Sequence, residues 1–239
     1  KDLPTLSTVN SINIGRLIAQ VFYYFYIYTQ KPDTKTIVIP SGNAGNLTAC
    51  CIAKQLGLPI QKIIVACNKN DSLVQFIKTG VITKRTAEKT ISNAIDITKP
   101  SNLERIVFMY KQKYSDSYLE KIQEDMIGYT VSELQTKQTI QSTYKKHSYI
   151  IDPHTAVAMN AYQQHIKVNP SSKNDQTVII STAHPIKFEN TIKELIPDCS
   201  IPIPENVREL YDKPTFSKEV SAEYTVWKKE YMQQFELWV

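Results

Sequence analysis

Val38-Ile39-Pro40-Ser41-Gly42-Asn43-Ala44-Gly45-Asn46-Leu47-Thr48-Ala49 is the stretch that decides the fold. It reads as a strand, a tight turn and a helix start. Thr36 to Ile39 is a short β-branched run, the pattern of a buried strand. Pro40 and Gly42 stop it. Leu47, Cys50, Cys51 and Ile52 begin an amphipathic helix with Gly57 as its C-cap. The turn between them carries two glycines, two asparagines and a serine. Such a turn can aim several backbone N–H groups and a helix N-terminus at one point, a cradle for phosphate or carboxylate. The glycines permit close approach and positive φ. Ser41, Asn43 and Asn46 can cap the turn or donate hydrogen bonds. No Gly-Lys-Ser/Thr follows, so this is not a P-loop, and the dinucleotide fingerprint is absent too. The plainer alternative is an ordinary strand–turn–helix corner capped by asparagines.

The flanking sequence extends the α/β pattern. Before the strand, Ile14, Leu17, Ile18, Val21, Phe22 and Phe25 recur at helical spacing. Tyrosines fill the other faces, so this helix is expected to be sandwiched or to form a subunit interface. Its one charge before Lys31 is Arg16, which needs an anionic or carbonyl partner: a ligand or a structural salt bridge. Ser11 or Asn13 would cap it. After the helix near 46–56, Ile60 to Ala66 is the next buried strand, so a parallel pair is expected. A helix at 73–79 closes at Gly80, and residues 81–100 form a surface excursion returning to the cleft. Helices are predicted from Pro100, over Ser115 to Met126, and over Val131 to Lys146. Tyr149 to Asp152 is a short element, and Asp152-Pro153-His154-Thr155 opens a helix of small residues, with Asp152 as its cap. Thr177 to Ser181 is a strand. Phe188 to Leu195 is helical, and Pro197 to Pro204 is extended with one edge strand. Val220, Tyr224, Trp227, Tyr231 and Phe235 stripe a final helix expected to dock on the body.

The chain of 239 residues can bury a sizeable core. Its 42% hydrophobic content and scarcity of glycine argue against disorder. The net charge of +5 comes from scattered lysines, a poor nucleic-acid signature but compatible with a small anionic substrate. Cys50, Cys51, Cys67 and Cys199 show no metal-ligand spacing, so reduced thiols in the cytoplasm and no metal are expected. No run approaches the ~20 apolar residues of a membrane helix. The chain opens Lys1-Asp2-Leu3-Pro4 without an initiator Met, which points to a processed, tagged or truncated polypeptide.

Three strand ends, 40–46, 67–71 and 181–184, are polar. In one parallel sheet they would converge on a single cleft. His154 and His184 flank prolines and read equally as structural histidines. Thr182 reads as a hydroxyl near a cofactor ring or as one satisfying its neighbouring backbone. Lys187 reads as a surface lysine.

At these residues the sequence resembles the threonine synthase family of bacteria and fungi. The matching stretches are Val9 to Arg16, Pro40 to Asn46, Ile91 to Asp96 with Pro100-Ser101-Asn102, Ile151 to Val157, and Thr182 to Phe188. They keep the family's order across about residues 9–190. The resemblance implies a three-layer α/β fold, a mostly parallel sheet flanked by helices, of the tryptophan-synthase-β-like pyridoxal-phosphate type. It implies conversion of O-phosphohomoserine and water to threonine and phosphate. Ser41, Gly42, Asn43, Ala44, Gly45 and Asn46 would hold the phosphate of pyridoxal 5'-phosphate. Thr182 would meet its pyridine nitrogen. Asn13, Arg16, Asn93, Asp96, His154, His184 and Lys187 would line or support the substrate cleft. Ala44 departs from the family's usual aromatic residue, Ile14 from tryptophan or proline, and Ile186 from alanine.

The family's Schiff-base lysine lies upstream of the first match, and no lysine here stands in its context. The chain is therefore expected to be the carboxyl-terminal half of such an enzyme, lacking the covalent anchor and paired with the missing amino-terminal half. The expected division is an α/β domain over 1–205, with a helical excursion near 101–147, and a helical extension over 206–239. Alternatives that stay open are a non-catalytic homologue binding a phosphate compound or a partner, a serine or threonine deaminating enzyme of the same fold, and a homo-oligomeric scaffold.

Overall fold

In the computed structural model, residues 10–83, 85–211, 213–214, 219 and 221–236 are described. The chain divides into two compact units, Lys1–Ile201 and Pro202–Val239. The first holds four parallel strands in the order β3-β2-β1-β4: β1 (Thr36–Pro40), β2 (Lys62–Cys67), β3 (Met126–Thr130) and β4 (Thr177–Ile179). Helix α1 (Ile14–Gln30) precedes β1, and α2 (Gly45–Gln55) connects β1 to β2. Three helices, α3 (Ser72–Thr79), α4 (Leu103–Tyr114) and α5 (Tyr118–Asp125), lead to β3. Then α6 (Glu133–His147) and α7 (Pro153–Val168) lead to β4, and α8 (Glu189–Leu195) follows.

Alternation along the strands builds the three layers. Ile37 and Ile39 of β1 and Ile63 and Val65 of β2 face a core completed by α1 to α5. Val38, Ile64 and Ala66 face the opposite way, onto Val157, Ala158 and Ala161 of α7. The small residues of α7 let it lie close to the sheet, with α6 packed outside it. Because both faces are covered, β1 is buried along its whole length and reads as a continuous apolar run. The fold is a three-layer α/β architecture with a parallel sheet flanked by helices, as the resemblance implied.

Several expectations are corrected. Strand β3 was hidden in the join between two predicted helices. It is five residues long, has Gly128 at its centre and follows α5 without a turn. That glycine is steric: a Cβ there would lie 2.9 Å from Val74 Cγ1 and 3.1 Å from Val74 Cα. Helix α1 is not sandwiched. It buries Leu17, Val21 and Tyr24 but exposes Ile14, Ile18, Phe22 and Phe25, with Phe22 at 70%. Tyr149 to Asp152 is irregular, and Pro197 to Pro204 forms no strand.

The second unit carries α9 (Glu205–Tyr211) and α10 (Tyr224–Glu236), on which Tyr224 stacks with Trp227. Val220 and the side chains of Tyr231 and Phe235 lie outside the described residues.

The Gly128→Ala variant should lose about 1–3 kcal/mol of stability in urea unfolding, because the added methyl overpacks against Val74. Phe22→Ser, on the exposed stripe, should stay within about 0.5 kcal/mol of the parent.

Candidate functional site

The winding of the sheet places the site. From β1 to β2 to β3 the chain steps one way with its helices on one face; α7 then returns it across the other face to β4. β1 and β4 therefore diverge at their C-terminal ends, the position where open α/β sheets hold ligands. A cleft of about 930 Å³ opens there, lined by the turn after β1 and by residues 178–183 of and after β4.

The turn is held from within. Asn46 donates from Nδ2 to the Pro40 carbonyl (2.8 Å) and accepts at Oδ1 from Ser41 Oγ (3.1 Å) and the Leu47 N–H (2.9 Å). Asn43 reaches outward, donating to Ser11 Oγ (2.8 Å) and accepting from the Ser101 N–H (2.7 Å). Both asparagine side chains are thus used to shape the loop. Ala44, at the N-cap of α2, sits at φ 61°, the left-handed region. No side chain caps this helix. Among the described residues, the backbone N–H groups of Gly42, Asn43, Ala44, Gly45 and Asn46 have no acceptor. Gly42, Ala44 and Gly45 are buried. Five unsatisfied donors, three of them on buried residues, and the positive end of a helix fit a phosphate group. The glycines are required by contact: a Cβ on Gly42 would lie 2.6 Å from Ile95 Cα, and one on Gly45 2.9 Å from Ser11 Cβ.

One wall of the cleft is the short 3-10 turn Asn93–Ile95. His154, almost fully buried, accepts the Ala94 N–H at Nε2 (3.1 Å). Its Nδ1 lies 3.0 Å from Asp152 Oδ1, which assigns the neutral tautomer protonated at Nδ1. Asp152 caps α7 by accepting the His154 and Thr155 N–H groups, and it also accepts the Thr155 hydroxyl. Thr155 Oγ1 lies 3.0 Å from Ser181 Oγ, so one polar chain ties the wall to the end of β4. Phe188 packs on the His154 ring, centroids 5.2 Å apart.

The predicted residues divide accordingly. Gly42, Asn43, Ala44, Gly45 and Asn46 line the cleft, and Ser41 lies buried beneath them. Thr182 lines it opposite the turn, and Asn93, His154 and Lys187 line it too. Lys187 is the one lysine among the lining residues, exposed, with no partner for its ammonium group among the described residues. Four residues stand outside the lining. Asn13 caps α1 by accepting the Gly15 N–H (2.9 Å), and Arg16 lies on the exposed first turn of that helix. His184 starts the 3-10 turn Pro185–Phe188, accepting the Ile186 N–H. Asp96 is engaged behind the wall by Asn68, Asn70 and Thr90. That cluster corrects the three-ended cleft: segment 67–71 follows a strand at the same edge but does not line the cavity. Sequence reasoning missed Gln20 and Tyr23, which line the cleft from α1. Their spacing from Ile27 was the available signal.

Burial pushes the thiols of Cys50 and Cys51 up, and that of Cys67 to about 12. Cys67 Sγ donates to the Ser41 carbonyl at 3.1 Å, under the turn. All four cysteines are free and buried. Among the described residues no group of side chains could hold a metal ion, and no helix is long and apolar enough to cross a membrane.

Residues 6–183 match the family of pyridoxal-phosphate dependent enzymes. The chain belongs to that family. Within it the chain groups with the threonine synthases: residues 155–230 match their C-terminal region. It is 33% identical over 223 residues to threonine synthase of Haemophilus influenzae, covering 92% of this chain and 49% of that protein. The Saccharomyces cerevisiae threonine synthase is 34% identical over 80% of this chain and 44% of its own length. The crystal structure of the Escherichia coli threonine synthase superposes with a TM-score of 0.81 at 31% identity, over 94% of this chain and 50% of that one. A pyridoxal-phosphate-bound threonine synthase from Brucella melitensis superposes with a TM-score of 0.82 at 28% identity, over 96% of this chain and 53% of that one. The chain spans about half the length of the curated relatives it matches. Pyridoxal phosphate is the family's cofactor, and the acceptor-free turn fits its phosphate.

The Asn46→Ala variant strips partners from Ser41 Oγ, the Leu47 N–H and the Pro40 carbonyl, so a loss of about 1–3 kcal/mol is expected in chemical denaturation. Native protein at pH 8 should leave Cys50, Cys51 and Cys67 unmodified by a chromogenic disulfide reagent, and urea should release all of them.

Proposed function

We propose that this chain forms the cofactor-phosphate side of a threonine synthase that converts O-phosphohomoserine and water to threonine and inorganic phosphate. The observation that carries the reading is the row of five N–H groups without acceptors at the start of α2, facing a cleft whose other side carries Thr182. The Gly42–Asn46 turn binds the phosphate of pyridoxal phosphate, with Ser41 beneath supporting the turn. Thr182 would supply a neutral hydroxyl partner for the pyridine nitrogen, which would leave the ring less cationic than a carboxylate partner would. When bound, the cofactor supplies the electron sink for proton loss next to the amino group. Asn93 and Lys187 orient the substrate, Lys187 providing the cation for an anionic end, and His154 backs the wall that carries Asn93. Asn13, Arg16, Asp96 and His184 support the surrounding loops.

No lysine of this chain stands in the family's Schiff-base context. We therefore assign the covalent anchor and the proton transfers to a polypeptide equivalent to the unmatched half of the relatives. Reduced cysteines favour the cytoplasm as its location. The lack of a lysine in that Schiff-base context favours a second reading, a non-catalytic homologue that binds a phosphate compound.

Titration of the full chain with pyridoxal phosphate, read by absorbance and equilibrium dialysis, should show one saturable site competed by inorganic phosphate. Gly42→Ala should weaken it about tenfold or more, by moving donors out of place. Thr182→Ala should leave affinity within about twofold and shift the absorption band, since a hydroxyl worth little to binding still tunes the ring. Failure of the chain to bind, or Gly42→Ala binding like the parent, overturns the proposal. Turnover of O-phosphohomoserine on addition of a lysine-bearing half separates the enzyme from the non-catalytic reading; turnover of serine or threonine instead would assign a deaminating enzyme.

A further inference from the structure

Asp96 receives four protein donors. Its Oδ1 accepts from Asn68 Nδ2 (2.7 Å), Asn70 Nδ2 (2.9 Å) and Thr90 Oγ1 (2.7 Å), and its Oδ2 from the Thr90 N–H (2.8 Å). Asn68 and Asn70 are buried at the C-terminal end of β2. Asn70 is fixed in turn by the Glu88 backbone, accepting its N–H (2.8 Å) and donating to its carbonyl (2.8 Å). The carboxylate thus pins the end of the 81–96 excursion to the sheet.

The turn that precedes Asp96 is held on two further sides. The Ala94 N–H is accepted by His154 Nε2 (3.1 Å), whose other ring nitrogen is fixed by Asp152. Ile95 is buried against Gly42, so close that a Cβ on that glycine would meet Ile95 Cα. In contrast, the Asn93 carboxamide is exposed, lines the cleft and has no partner among the described residues. Lys187 shares that wall, and both residues also line a second, polar cavity of about 510 Å³ beside the cleft.

We propose that Asp96 and His154 are positioning residues for Asn93, whose carboxamide, beside Lys187, sets specificity by donating to an anionic oxygen of the amino-acid ligand. This rests on the reading of the cleft as an amino-acid site. A carboxylate filled by neutral donors cannot welcome an anionic ligand, whereas an unpartnered amide on a rigid turn can donate without first breaking a bond. Asp96 acts on the ligand through Asn93 and not by contact.

The test is a double-mutant cycle on the full chain loaded with pyridoxal phosphate, with O-phosphohomoserine as the probe. Asn93→Ala and Asp96→Ala should each weaken the probe about tenfold, and the double variant no more than the weaker single one. Pyridoxal phosphate affinity should stay within about twofold in all three. Asp96→Asn keeps the shape and loses the acceptor for the Thr90 N–H; it should show a smaller loss of the same sign, which guards against Asp96→Ala failing to fold. Hydrogen exchange without any ligand should show the Thr90 and Ala94 amides deprotected by Asp96→Ala and left protected by Asn93→Ala. Additive losses, an unchanged probe affinity in Asp96→Ala, or unaltered exchange would overturn the inference. Failure of the parent chain to take up pyridoxal phosphate would overturn the reading of the cleft instead, while the exchange result would still decide whether Asp96 clamps the turn.

Discussion

Five successive backbone N–H groups at the end of a buried strand have no acceptor, and a folded chain tolerates such a row where an anion can complete it. The rest of the site follows from that constraint. To leave the donors unsatisfied, the loop must be braced by other means. Asn46 braces it from inside and Asn43 from outside, and Ala44 adopts a left-handed conformation that side-chain-bearing residues resist. To bring the wall close, position 42 can carry no side chain. The sheet then supplies the place, because its winding reverses between β1 and β4 and opens a crevice there.

Much of this was legible in the amino-acid order. Thr36 to Ile39 is β-branched and apolar because β1 is covered on both faces, and a strand in that setting leaves a plain signal. The turn announced itself through paired glycines and asparagines. Asp152-Pro153 marked a helix start because the carboxylate and the ring satisfy opposite needs of a first turn. Strand β3 left little trace, since Gly128 replaces an apolar residue for the sake of Val74 and no turn separates it from α5. The apolar stripe of α1 was plain as a pattern, but a pattern does not say which of its residues find a neighbour.

Side-chain destinations were the hardest to read. Asn43 and Asn46 have the chemistry to grip a ligand, and the loop consumes it. Asp96 looked like a cleft residue because it sits three positions from one; four donors from the sheet end and the excursion hold it elsewhere. Asn46 is spent inside its own turn, whereas the fates of Asn43 and Asp96 depend on contacts between segments far apart in sequence, which no local spacing encodes. The resemblance to threonine synthases identified the stretches that matter and left open which atoms of each stretch face the cavity.

The pairing of β1 with β4 has a consequence for how the protein comes into being. Thr36 is in register with Thr177, so the two lips of the crevice lie near opposite ends of the main unit. Closing that contact means closing a loop of nearly the whole intervening chain, and contacts of such long sequence separation form slowly. During synthesis the phosphate turn emerges before β4 and waits, half-built, until that strand arrives. The crevice is therefore among the last features to form, and an anion held there would favour the finished fold over every state that precedes it.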